Sequence, residues 1–114
     1  GQDWDQAALT YFQQKCALKT HVTVDTQVGP NSGLKCRLPL VGSEVCMESL
    51  LDIEYIKGVA GDIHLTDIQN NKYSLLNWAK QIDDMEAPPL VHSVSYGDDE
   101  VQQVSTDYMS ACNV

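Results

Sequence analysis

Two carboxylates, Glu48 and Asp52, stand four residues apart in the stretch Glu44-Val45-Cys46-Met47-Glu48-Ser49-Leu50-Leu51-Asp52-Ile53-Glu54-Tyr55-Ile56-Lys57-Gly58. On a helix this spacing puts them on one face, with Tyr55 completing it. Like charges at this spacing are mildly destabilising, and Met47, Leu50, Leu51, Ile53 and Ile56 surround them with apolar surface. Two carboxylates held close and partly out of water share a proton and titrate as a pair. Such a pair can work as a general base at acid pH, where a histidine would already be protonated. A solvated acidic stripe is the plain alternative.

The elements around the pair follow from periodicity. Trp4, Ala7, Ala8, Tyr11 and Phe12 recur at helical spacing, with Asp3 or Asp5 available as an N-cap. Val22 and Val24 alternate with Thr23 and Asp25, which predicts a strand, and Gly29 to Gly33 force a turn. Pro39 argues against a central strand in the loop that follows. Ser43 is the expected N-cap of the acid-bearing helix and Gly58 its stop. A second strand is expected in Asp62 to Ile68. An amphipathic helix follows, with Leu75, Leu76, Ala79 and Ile82 on one face. A third strand is expected from Leu90 to about Tyr96, then a final helix behind Asp98, Asp99 and Glu100. Helices regularly separating strands predict an α/β fold, a parallel sheet with helices on both faces. In such sheets sites lie beyond the carboxyl ends of the strands, where residues 97 to 100 fall.

The chain has 114 residues, which suits one unit, with 43% hydrophobic and 20% charged residues, as in globular proteins. A net charge of −9 argues against nucleic acid as a partner. No apolar run reaches the ~20 residues a membrane-spanning helix needs. The first residue is Gly1 and not Met, so a processed chain or a piece of a longer one is expected. Cys16, Cys36, Cys46 and Cys112 form no Cys-x-x-Cys pair, so zinc and thiol-redox chemistry are poorly supported. Two disulfides in an oxidising compartment are the better reading, with the connectivity open.

Glu48-x-x-x-Asp52 within Glu48 to Ile56, followed by Pro88-Pro89-Leu90-Val91-His92-Ser93-Val94-Ser95-Tyr96-Gly97-Asp98-Asp99-Glu100, resembles the sedolisin family of serine-carboxyl peptidases. The resemblance covers nearly the whole chain, from the helix at Asp5 onward. It implies an incomplete subtilisin-like fold, with residues 1–114 as the amino-terminal part of a catalytic domain. It implies an endo- or tripeptidyl-peptidase acting at acid pH, secreted or lysosomal/vacuolar, with a peptide as substrate. Glu48 would be the general base toward a nucleophilic Ser, and Asp52 would orient it and tune its proton. Ser95, Tyr96 and Gly97 would border the substrate backbone. Asp98 or Asp99 would meet the free ammonium of an exopeptidase substrate.

The family's nucleophilic Ser and oxyanion Asp belong to motifs this chain does not contain. Its calcium site lies in a region outside the chain, so no cofactor or metal is expected here. A companion chain carrying the Ser is the implied partner. The competing expectation is a secreted, disulfide-stapled binding module without catalysis. His21, His64 and His92 match no subtilisin-type motif and are expected to be structural or surface residues.

Overall fold

The structure, a computed structural model, describes residues 2–70, 72–97 and 110. The chain divides into two compact units, Gly1–Asn71 and Lys72–Val114.

The first unit is built on a β–α–β arrangement. Helix α1 spans Gln6–Lys15, strand β1 Thr26–Val28, helix α2 Gly42–Ala60 and strand β2 Thr66–Ile68. The strands pair in parallel, with Thr26 opposite Thr66, Gln27 opposite Asp67 and Val28 opposite Ile68. Leu9 of α1, Val22, Ile53 of α2 and Leu65 form the buried core, and Trp4, Phe12, Leu18, Val24, Leu50 and Ile56 pack around it. Strand β1 is shorter than the alternation at residues 22 to 25 implies. Val22 is fully buried, but backbone bonding to the Leu65 carbonyl begins only at Asp25 and Thr26.

The ends of α2 differ from expectation. It starts at Gly42, before Ser43, and no side chain caps it. The start is fixed instead by the loop before it. Gly42 N–H donates to the Leu38 carbonyl, and its α-carbon lies against the Cys36 carbonyl, where a Cβ would come within 2.3 Å of the oxygen. Gly58 lies inside the helix, and the stop is Gly61, at φ 74°, whose N–H returns to the Lys57 carbonyl. A left-handed residue is needed only there, so the later glycine ends the helix.

Cys36, in the 3₁₀ turn Lys35–Arg37, is bonded to Cys46 on α2, with Cα atoms 5.5 Å apart. Cys16 is unpaired and exposed, so two disulfides are not both present among the described residues. Cys112 lies outside them. Closing a ten-residue separation is worth ~3 kcal/mol through the entropy of the unfolded chain. Reduction should therefore lower the urea midpoint of the folded protein. Titrating the unfolded, non-reduced chain should find at most two thiols, whereas four would contradict the pairing.

In the second unit helix α3 spans Leu75–Asp83, and Ser74 Oγ caps it by accepting from Asn77 N–H at 3.1 Å. Its expected face of Leu75, Leu76, Ala79 and Ile82 is half-buried. Residues 90 to 97 do not form the expected strand. Leu90 is 98% exposed and Val91 86%, and the described residues contain no strand beside them. A strand without a neighbour has no partner for its peptide groups, so alternation and β-branching were not enough. The expected final helix, with Asp98 and Asp99, lies outside the described residues.

Candidate active site

Glu48 and Asp52 both lie in α2, one turn apart and half-buried. The buried stripe of the helix is Gly42, Cys46, Ile53 and Lys57. The sequence surrounds the pair with apolar residues, but Met47, Leu51, Tyr55 and Val59 of this helix are all substantially exposed. At 3.6 residues per turn, Glu48 and Asp52 stand on the opposite flank from a shallow groove lined by Met47, Leu50, Leu51 and Glu54. Burial raises the Glu54 pKa, but its position keeps it apart from the pair.

The chain before α1 runs along the first half of α2 and holds it. Gln2 Nε2 donates to the Glu44 carbonyl at 2.9 Å, and Glu48 N–H donates to Gln2 Oε1 at 2.7 Å. Asp3 N–H donates to the Val45 carbonyl, and Ser49 Oγ donates to the Asp3 carbonyl. Gln69, just after β2, donates to the Gln2 carbonyl. The buried Asp3 carboxylate accepts from Ser32 N–H and pairs with Lys35 at 3.0 Å. Asp5 sits at the N-cap position of α1, but its carboxylate is taken by a two-point contact with Arg37, at 3.1 and 2.8 Å. That guanidinium holds the Asp5 pKa below the ordinary carboxylate range. The turn bearing Glu48 is thus tied to both the sheet and the disulfide loop.

The chain is 32% identical over 97 residues to Tripeptidyl-peptidase 1 of Dictyostelium discoideum. The match takes in 81% of this chain and 14% of that protein. A match covering that share of the chain spans the region of α2. The chain is therefore similar to a peptidase and spans about one seventh of its length. No family model matches, and no solved structure matches.

Ser95, Tyr96 and Gly97, read as the peptidase's substrate-bordering residues, are exposed and lie in the second unit. Within that unit the Tyr96 ring meets Tyr73 at 6.0 Å, and His92 meets Trp78 edge-on at 5.7 Å. In the first unit His64 bonds Thr26 Oγ1 at 2.8 Å. Among the described residues no cluster of three or more His, Cys, Asp or Glu side chains could hold a metal ion.

Three charged residues with structural weight, Lys57, Asp25 and Asp67, escaped the sequence reading. Lys57 is 3% exposed, and its ammonium donates to Asp25 Oδ2 and the Ile63 carbonyl, each at 2.6 Å. Asp25 Oδ2 also accepts from Leu65 N–H. The Lys57 hydrogen bond, then the Leu65 N–H, lowers the Asp25 pKa. Asp67, opposite Gln27, has one enclosed oxygen without a hydrogen-bond partner. Burial raises its pKa, partly offset by donors on Gln27, Gln69 and Trp4. The signal for Asp25 was its break in a β-branched run, and for Lys57 its place one turn after Ile53 on the buried stripe.

Proposed function

We propose that this chain supplies the Glu/Asp half of the catalytic site of a sedolisin-type serine-carboxyl peptidase, within an incomplete subtilisin-like α/β fold. One observation carries the reading: Glu48 and Asp52 share a face of a tethered helix, inside the stretch that is similar to a tripeptidyl-peptidase. In this reading a Ser hydroxyl on companion polypeptide attacks the peptide carbonyl. Glu48 accepts its proton and returns it to the leaving amine. Asp52 orients Glu48. Ser95, Tyr96 and Gly97 line the substrate backbone, and Asp98 or Asp99 receives the ammonium of a tripeptidyl substrate. The disulfide is compatible with a secreted or lysosomal/vacuolar protein.

A second reading is a disulfide-stapled binding module without catalysis, favoured by the exposed apolar residues of α2 and of the loop before it, such as Leu38, Leu40, Met47 and Leu51. Activity separates the two. The 114-residue chain alone should cleave no tripeptidyl reporter at any pH, because a base without its nucleophile opens no acyl path. The complete polypeptide with a family-type Ser should cleave it at acid pH. Cleavage by the isolated chain would overturn the assignment of only half of the site to it, and no cleavage by the complete polypeptide would overturn the peptidase reading.

A further inference from the structure

An α-helix joins each N–H to the carbonyl four residues earlier. At Glu48 the two groups so related are its own N–H and the Glu44 carbonyl. One side-chain amide, that of Gln2, reaches both: its oxygen accepts from Glu48 N–H at 2.7 Å and its nitrogen donates to the Glu44 carbonyl at 2.9 Å. The next residue also holds the helix, through its backbone: Asp3 N–H donates to the Val45 carbonyl, and the Asp3 carbonyl accepts from the Ser49 hydroxyl. Groups inserted into the helical ladder set the local path of a helix. Here the insertion falls at the residue whose carboxylate the proposed chemistry uses.

We propose that Gln2 is a positioning residue for Glu48: its amide bridges the turn from Glu44 to Glu48 and sets the angle at which the Glu48 carboxylate leaves the helix. The proposal rests on the reading of Glu48 as the general base. The Gln2 carbonyl is itself held by Gln69, just after β2, so the sheet governs the position of the turn. A primary amide is suited to this place because it offers one acceptor and one donor in a single plane. A protonated carboxyl has the same shape and the same pair of functions, whereas a carboxylate can only accept.

That equivalence provides the test. In the complete protein, Gln2→Met should lower kcat by ~10- to 100-fold with little change in KM, as small misplacements of a catalytic group do. Gln2→Glu should match the wild type below pH ~4, where a glutamic acid is protonated. It should fall toward Gln2→Met as the pH rises. Amide hydrogen exchange gives a readout independent of chemistry: the Glu48 N–H should exchange faster in Gln2→Met while the far end of α2 stays protected. If Gln2→Met unfolds the protein, Gln2→Glu alone still carries the test through its pH dependence. An unchanged kcat in folded Gln2→Met, or Gln2→Glu and Gln2→Met behaving alike at every pH, would overturn the proposal. If Glu48→Gln keeps its activity while exchange at residue 48 still responds to Gln2, the general-base reading has failed and the insertion stands as structure alone.

Discussion

Asp25→Ala is expected to destabilise the folded chain by ~3 kcal/mol, because it strips the partner from a buried ammonium. Lys57 is almost fully enclosed and would keep only the Ile63 carbonyl. Lys57→Met should cost much less. It removes the buried charge, fills the same space, and leaves Asp25, whose side chain is 30% exposed, to water. Urea midpoints of the two variants measure the difference, and equal losses would contradict the asymmetry. The pH dependence has a fixed sign. The Asp25 pKa is lowered on folding, so its contribution is complete above the unfolded value near ~3.9 and drains as pH falls through the lower folded value. Asp67 acts in the opposite sense. Its pKa is raised by burial, so ionising it costs stability as pH rises from the unfolded value through the folded one. Acid conditions therefore weaken the Lys57–Asp25 clamp and relieve Asp67.

What could be read from the chain was whatever repeats locally. The 3.6-residue rhythm around Ile53 located α2, and with it the shared face of Glu48 and Asp52. The rhythm of Leu75, Leu76, Ala79 and Ile82 located α3. The ends of α2 were misread because they depend on contacts across the fold. Gly42 is forced by the approach of the Cys36 carbonyl, while Gly58 resembles a stop and is simply carried along. The Lys57–Asp25 pair joins residues 32 apart, and the Gln2–Glu48 bridge residues 46 apart. No periodicity encodes either. The cysteine spacing allowed three connectivities, and only the placement of Cys36 beside α2 selects Cys46. Leu90 to Tyr96 has strand composition without a strand's neighbour, and composition is silent about neighbours.

Glu48→Gln in the complete polypeptide should lower turnover by ~1,000-fold or more, while the fold is retained. A general base contributes on the order of 10²–10⁴, and a neutral amide of the same shape cannot accept the Ser proton. Asp52→Asn should cost less, about 10- to 100-fold, since it disturbs the orientation of Glu48 but leaves the base in place. Glu54→Gln, on the opposite flank of the same helix, is the matched control and should leave turnover near normal.

The most direct measurement is kcat/KM for a tripeptidyl reporter at the acid optimum, comparing Glu48→Gln and Glu54→Gln with the parent. A loss of ~1,000-fold confined to Glu48→Gln is the predicted result. Near-normal activity in folded Glu48→Gln would contradict the catalytic assignment and leave Glu48 and Asp52 as an ordinary helix face.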